Sequence, residues 1–171
     1  MLSKFYPAHY VESAYKINYE KLYQEGYRGI IFDIDNTLVP HGFPADDRAL
    51  RLFASLKKMG FKCCLLSNNK EGRVSLFNND AKVYAIWDAH KPAKKNYYKA
   101  MELMETNKNN TVFIGDQLFT DVWGAKNAGI ENFLVKPIHP KEEIQIVLKR
   151  YLEKIVLWSY NRALKRKKVE K

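Results

Sequence analysis

The stretch that decides the fold is RGIIFDIDNTLV, residues 28–39, in which a short apolar run is followed at once by acidic residues. The run covers residues 30–32 and is bounded by Gly29 and Asp33. A continuous apolar run of this length, rich in β-branched side chains, is typical of a parallel strand that is buried on both faces. The sequence therefore predicts a buried strand that carries Asp33 and Asp35 at its carboxyl end.

Further strand-like segments follow, and helical segments separate them. The predicted strands are FKCCLLSNN (61–69), KVYAIWD (82–88), NTVFIGD (110–116) and ENFLVKP (131–137). The predicted helices are DDRALRLFASLKKMG (46–60), KEGRVSLFNND (70–80), PAKKNYYKAMELMETN (92–107) and FTDVWGAKNAG (119–129), while residues 11–24 are expected to form an opening helix or an extended arm. This alternation predicts an α/β protein with a doubly wound, Rossmann-like parallel sheet.

Composition predicts one folded domain over residues 1–171. Hydrophobic residues make up 46% of the chain and no Ser/Gly/Pro-rich linker divides it. Cys63 and Cys64 are adjacent inside an apolar run, which excludes a spaced disulfide framework and predicts two buried free thiols. No apolar segment approaches the roughly 18 residues of a membrane span, and the first ten residues lack the apolar stretch of a secretory signal. We therefore expect a cytoplasmic protein.

The positive charge is concentrated in a basic C-terminal helix and tail that begins at about residue 141. The net charge is +10, and the chain from Lys149 onward holds nine basic and two acidic residues. Five apolar residues recur there at helical intervals and predict a long packed helix that frays into KRKK: Ile144, Leu148, Tyr151, Ile155 and Trp158. The charge predicts either peripheral contact with an anionic membrane or a solubilising end, and the pattern does not choose between them.

Polar side chains follow the predicted strands where each strand ends. They are Asp33, Asp35 and Thr37, then Ser67 and Asn68, then Lys91, then Asp116 and Asp121. The carboxyl ends of parallel strands meet at one edge, and Asp33 and Asp35 point the same way if their strand stays regular. Clustered carboxylates are unfavourable without a cation, and Mg²⁺ prefers such oxygen ligands. Ser67 and Lys91 would supply a hydroxyl and a positive charge for phosphoryl oxygens, so the sequence predicts a phosphate site.

These residues resemble a known family, the haloacid dehalogenase (HAD) superfamily of aspartate-nucleophile phosphatases. FDIDNTLV, LLSNN, HKPAK and GDQLFTD are similar to its four motifs, in the family's order. The resemblance implies a sheet ordered 5-4-1-2-3, Asp33 as nucleophile and Asp35 as general acid and base. It also implies Mg²⁺ held by Asp33, the Asp35 backbone carbonyl and Asp116, with Asp121 either binding the ion or supporting its ligands.

Several of these residues also have a structural interpretation. Ser67, Asn68 and Asp121 are common caps where a strand passes into a helix, and Lys91 could be an exposed loop lysine. Thr37 could support only the turn backbone. On the functional interpretation, Ser67, Asn68 and Lys91 bind the phosphate, and Lys91 acts on the transferring phosphoryl group without supporting the fold.

The spacing of the motifs leaves no room for an inserted cap domain, so the site is expected to be open to a large or surface-bound phosphomonoester. This layout resembles the capless class IIIA, YqeG-type branch, which includes the mitochondrial-type phosphatidylglycerophosphate phosphatases. The resemblance proposes phosphatidylglycerophosphate as substrate. The alternatives are a phosphatase of another large or soluble phosphomonoester, such as a phosphoprotein, a nucleic acid or a metabolite, and a non-catalytic module that binds an anionic ligand. A phosphorelay receiver domain is another alternative, but its phosphorylated aspartate would be expected at the end of the third strand. In this chain the paired acids Asp33 and Asp35 follow the first predicted strand. A nucleic-acid-binding module is disfavoured, because tyrosines spaced by four (Tyr15, Tyr19, Tyr23 and Tyr27) are typical of a packed stripe.

Overall fold

A parallel six-stranded sheet forms the centre of the protein in the computed structural model, which describes residues 2–139 and 144–169. The strands are β1 (His9–Val11), β2 (Gly29–Phe32), β3 (Lys62–Leu66), β4 (Tyr84–Ile86), β5 (Thr111–Gly115) and β6 (Glu131–Val135). They lie in the order β1-β6-β5-β2-β3-β4, and every neighbouring pair is parallel. The α/β prediction is therefore confirmed, and the five predicted strands, β2 to β6, take the expected order.

The edge strand β1 and the segment after it differ from the prediction of one helix or arm over residues 11–24. His9–Val11 pairs with Phe133–Val135 of β6, a single 3-10 turn follows at Ala14–Lys16, and the helix α1 covers only Tyr19–Gln24. The predicted tyrosine stripe is packed, because Tyr19 is buried and the other three tyrosines lie against the core. This segment therefore extends the sheet by one strand and covers one of its faces.

Helices cover both faces of the sheet because successive strand residues point to opposite sides. They are α2 (Asp47–Met59), α3 (Glu71–Ala81), α4 (Lys95–Leu103), α5 (Trp123–Asn127) and α6 (Ile144–Val169). Ile30 and Phe32 of β2 belong to the core cluster that includes α2 and α3, whereas Ile31 belongs to the cluster that includes α4 and α5. The uninterrupted apolar run of β2 thus reflects burial on both faces.

The order of the strands reverses between β2 and β5, which are neighbours in the sheet but 82 residues apart at Gly29 and Thr111. In open parallel sheets, ligands bind at the carboxyl ends of the strands beside such a reversal. Within residues 2–139, all of which the structure describes, the chain between β2 and β5 forms only α2, α3, α4 and the strands β3 and β4. That part of the chain holds no inserted cap domain.

The C-terminal helix α6 forms as the pattern predicted, but the prediction that the stripe from Leu148 to Trp158 packs on the protein is wrong. Leu148, Tyr151, Ile155 and Trp158 are exposed, and the opposite face, which includes Val156, is the buried one. The side chain of Ile144 lies outside the described residues. Among the residues that the structure describes, no helix is both long enough and apolar enough to cross a membrane.

Candidate active site

Three buried carboxylates converge where β2 and β5 end. Asp33 follows β2, Asp116 follows β5, and Asp121 lies in the π-helical turn Leu118–Val122 that comes next. One oxygen from each lies within 4.8 Å of the others, and all three residues are less than a tenth exposed. The two neighbouring strands and the turn after β5 therefore bring these predicted residues together.

Lys91 is the cation that the structure places between two of these carboxylates. Its Nζ donates to Asp33 Oδ1 at 2.6 Å and to Asp121 Oδ1 at 2.7 Å, and its side chain is only 3% exposed. Burial alone would lower the pKa of Lys91, but the Asp121 and Asp33 charges raise it above its usual range. Lys91 is therefore no exposed loop lysine, and its contacts give it a role in the fold that the sequence did not predict.

Asn68 holds the backbone of this lysine, and Ser67 holds the turn that follows β3. Asn68 Oδ1 accepts the Lys91 backbone N–H at 2.7 Å, and its Nδ2 donates to the Lys91 carbonyl at 3.2 Å. Ser67 is buried, and its Oγ accepts the Asn69 N–H at 3.1 Å. Asn68 thus fixes the position of Lys91 through both of its polar atoms, while the Ser67 hydroxyl lies at the end of β3 as expected.

Thr37 joins the two carboxylates that follow β2 and β5. Its Oγ1 lies 3.1 Å from Asp116 Oδ1 and 3.4 Å from Asp33 Oδ2, so its single proton donates to one carboxylate at a time. Thr37 therefore belongs to the site as well as to the turn.

Burial raises the pKa of Asp33 to about 7, because it outweighs the opposing effect of Lys91, and the Asp121 charge adds a smaller contribution. Burial and the Asp33 charge likewise raise the pKa of Asp116, although Arg150 opposes the rise.

Asp121 reaches back to hold the loop after β5 and does not cap α5. Its Oδ2 accepts the backbone N–H groups of Asp116 and Gln117, both at 3.1 Å. Gly115 leaves space for this contact, because a Cβ there would lie 2.4 Å from Asp121 Oδ2. Asp121 Oδ1 accepts from Lys91, so Asp121 holds both the loop that carries Asp116 and the lysine that contacts Asp33. This geometry favours a supporting role beside the cation site.

Asp35 lies outside this cluster. Strand β2 ends at Phe32, so the alternation that would have pointed Asp33 and Asp35 the same way does not extend to Asp35. Its Oδ1 accepts from Arg73 Nη2 at 2.8 Å, and its Oδ2 accepts from Asn69 Nδ2 at 2.7 Å. These contacts hold the carboxylate beside the start of α3. Sequence reasoning missed Arg73, which lies among the polar residues of α3 with no local signal of its role.

Helix α6 adds two residues that sequence reasoning also missed. Arg150 Nη1 donates to the Asp116 carbonyl at 2.6 Å, and its Nη2 pairs with Asp116 Oδ2. Glu153 is buried, accepts the Leu118 N–H at 2.7 Å and pairs with Arg150 at 2.9 Å. In the sequence, Arg150 is one of many basic residues near the end, and its contact with Asp116, 34 residues earlier, is what distinguishes it.

The donor set fits a hard divalent cation. Carboxylate oxygens are the ligands that such ions prefer. Burial is the main cause of the raised pKa of both Asp33 and Asp116, and carboxylate repulsion adds to it, from Asp121 on Asp33 and from Asp33 and Asp121 on Asp116. A divalent cation would offset this repulsion. Asp33 and Asp116 are the residues best placed to hold it.

Two cavities bear on where a substrate could enter. One of about 300 Å³ is lined by Asp116 and by Arg150, Lys154 and Leu157 of α6. A larger one, of about 700 Å³, lies between α2 and α3 at the opposite end of the strands, next to Lys62. The larger cavity contacts none of the clustered carboxylates, so the smaller one is the one that belongs to the candidate site.

Comparison with known proteins identifies the family of the chain. Residues 89–143 match the sequence model of the family described as HAD-hydrolase-like. The chain is 38% identical over 169 residues to the protein named probable phosphatase YqeG of Bacillus subtilis (strain 168), an alignment that covers 98% of this chain and 96% of that protein. The chain therefore belongs to the HAD-like hydrolase family, and it is an enzyme, a HAD-type phosphatase.

Solved structures share the fold at low sequence identity. An uncharacterized protein from Listeria monocytogenes serotype 4b aligns with a TM-score of 0.52 at 16% identity, over 68% of this chain and 86% of its own. CbbY from Rhodobacter sphaeroides, solved in complex with xylulose-(1,5)bisphosphate, also aligns with a TM-score of 0.52, at 12% identity, over 68% of this chain and 90% of its own. At such identities the likeness supports the fold alone.

Proposed function

We propose that the enzyme hydrolyses a phosphomonoester in a Mg²⁺-dependent reaction with Asp33 as the nucleophile. The observation that carries the proposal is the hydrogen-bonded group in which Lys91 contacts Asp33 and Asp121 and Thr37 lies between Asp33 and Asp116. These contacts fix the Asp33 carboxylate at the carboxyl end of β2, where the reversal of strand order opens the sheet. When bound, Mg²⁺ would neutralise charge between this carboxylate and an incoming phosphate.

In the proposed reaction, an Asp33 oxygen attacks phosphorus and the bond from phosphorus to the leaving oxygen breaks. Asp35 gives its proton to that oxygen, then takes a proton from the water that hydrolyses the aspartyl-phosphate, which releases phosphate and restores Asp33. Lys91 stabilises charge on the transferring phosphoryl group, and Ser67 donates to one of its oxygens. Asp35 must leave Arg73 to do this, because the Arg73 guanidinium holds its carboxylate outside the cluster of Asp33, Asp116 and Asp121.

The substrate we propose is a phospholipid monoester, phosphatidylglycerophosphate, encountered by a cytoplasmic enzyme in peripheral contact with an anionic membrane. Three observations support it: the described chain between β2 and β5 carries no cap domain, the net charge is +10, and the cavity beside Asp116 is lined by both cationic and apolar residues. A lipid phosphomonoester combines an anionic head with an apolar body, so it suits an open site of this composition.

A turnover assay tests the reaction. Purified protein should release phosphate from an aryl phosphate only when Mg²⁺ is present, and Asp33→Asn should lower turnover by at least about a thousandfold while the melting temperature stays within a few degrees. The matched control is Asp80→Asn, an exposed carboxylate at the end of α3, which should keep full activity. A folded Asp33→Asn protein that is as active as the control would end the proposal.

The same assay separates the substrates. Phosphatidylglycerophosphate in mixed micelles should be hydrolysed with a kcat/KM at least about tenfold above that of the aryl phosphate, which corresponds to about 1.4 kcal/mol of additional transition-state binding. If the aryl phosphate or a soluble metabolite phosphate is the better substrate, the lipid assignment fails and the phosphatase assignment stands.

A further inference from the structure

An exposed apolar stripe runs along α6. Its members are Leu148, Tyr151, Leu152, Ile155 and Trp158, each between 57% and 65% exposed. Their spacing of three and four residues places them on one face of the helix. Single exposed apolar residues are ordinary on a protein surface, but a continuous row of five is typical of an interaction surface for a membrane, a ligand or another protein.

Contacts made by the opposite face of α6 hold the stripe toward the solvent. Val156 and Glu153 are buried there, in contact with the turn that carries Leu118. At the C-terminal end of the stripe, Ser159 Oγ lies 2.6 Å from the Tyr6 hydroxyl, and the rings of Tyr6 and Tyr160 meet edge to face at 5.4 Å. The helix therefore cannot bury its stripe on the protein without breaking these contacts.

Cations border the stripe and extend it. Arg162 and Arg166 follow Trp158 at successive intervals of four residues, so they lie nearly in line with the stripe. The Arg162 guanidinium lies 5.4 Å from the centre of the Trp158 ring. Over its whole length α6 carries eight Lys and Arg residues against one acidic residue, Glu153. A helix with an aromatic and aliphatic face among lysines and arginines is typical of helices that lie in the interface of an anionic bilayer.

We propose that α6 docks the enzyme on an anionic phospholipid bilayer, with the stripe inserted at the level of the headgroups and the surrounding cations beside lipid phosphates. The inference rests on the proposed function in so far as the substrate is a lipid. Charge argues against a second copy of the chain as the occupant, because two such helices would bring two sets of eight cations together.

The packed face of the same helix connects this surface to the site. Arg150 contacts Asp116 there, and the cavity of about 300 Å³ lies between Asp116 and the α6 residues Lys154 and Leu157. An α-helix is about 10–12 Å across, so the stripe lies roughly one helix diameter from the carboxylates. Docking through the stripe would thus place a lipid phosphomonoester beside the catalytic cavity.

Vesicle sedimentation of the full chain tests the surface. The protein should pellet with vesicles of phosphatidylglycerol and phosphatidylcholine in equal parts, and stay in solution with phosphatidylcholine alone or at high salt. A double variant, Leu152→Glu with Ile155→Glu, should bind the anionic vesicles at least about tenfold more weakly, because two inserted apolar side chains become charged. Leu76→Glu, an exposed leucine on α3, is the matched control and should bind normally. Melting curves establish that all variants are folded.

Each outcome decides the inference. Equal vesicle binding by the double variant and the Leu76→Glu control would overturn the docking inference. Wild-type protein that does not bind anionic vesicles would overturn it as well. If the wild type is a dimer in light scattering and the double variant a monomer, with no vesicle binding by either, the stripe is a contact between copies. Turnover of a soluble aryl phosphate by the wild type is measured in parallel, so a failure of docking is separated from a failure of the phosphatase proposal.

Discussion

Replacing Lys91 with methionine should destabilise the protein as well as inactivate it. The change keeps an unbranched side chain of similar length but leaves Asp33 and Asp121, which are 7% and 0% exposed, without the ammonium between them. Removing one partner from a buried ion pair costs about 3–5 kcal/mol. In a domain of this size, 1 kcal/mol corresponds to about 2–4 °C, so the melting temperature should fall by about 10 °C near pH 8 in the presence of EDTA.

The pH dependence of that loss provides a second readout. With Lys91 present, the pKa of Asp33 is already about 7, above its usual range, and the loss of the cation raises it further. Below that pKa the Asp33 carboxyl is protonated and no longer needs Lys91. The destabilisation should therefore be larger near pH 8, where the wild-type Asp33 carboxyl is ionised, and should shrink as the pH falls below about 7 toward 5.5.

Thermal unfolding followed by circular dichroism at the two pH values measures both effects. Lys58→Met on α2 removes an exposed lysine and is the matched control, with an expected change of less than about 2 °C. If Lys91→Met melts together with the control near pH 8 in EDTA, the buried ion pairs do not stabilise the fold and the reasoning is refuted.

Two further predictions follow from the packing around the site. Gly115→Ala should lower turnover at least about tenfold and reduce the melting temperature, because the new Cβ would lie 2.4 Å from Asp121 Oδ2. Gly72→Ala on α3 is the control, since a Cβ there has open space and should change neither quantity. Equal turnover by the two variants would contradict this prediction. Burial raises the pKa of Cys63 and of Cys64 to about 12, so iodoacetamide near pH 8 should alkylate both thiols only after unfolding in urea. Mass spectrometry of rapidly labelled protein measures this, and alkylation of either thiol in the native protein would contradict the prediction.

The parts of the fold that the sequence predicted correctly are those in which local pattern and burial agree. The run at residues 30–32 is buried on both faces, and this burial is what its short, uninterrupted and β-branched apolar pattern indicates. Each polar group at the end of such a strand is brought to the same edge of the sheet by topology alone. This is why the sequence alone predicts Asp33, Lys91 and Asp116 at one edge, where the structure has them.

The parts that the sequence did not predict depend on contacts between distant segments. Strand β1 has three residues, too few for a periodic signal, and it forms by pairing with β6. Helix α6 has apolar residues on two sides, Val156 on one and Ile155 on the other, so periodicity alone cannot tell which side packs. Arg150 gains its partner only when α6 docks beside Asp116. The direction of Asp35 is set where β2 ends and Asn36 takes a left-handed conformation with φ 63°.

Both borders of the sheet are formed by strands of only three residues, β1 and β4. An edge strand offers unpaired N–H and C=O groups to any other extended chain, and short edge strands limit how far such pairing can proceed. The sheet therefore has little capacity to grow by adding strands from a second molecule, which protects it from aggregation through its edges. A partner molecule would therefore have to bind the helical surface, where side chains and not backbone groups decide the partner.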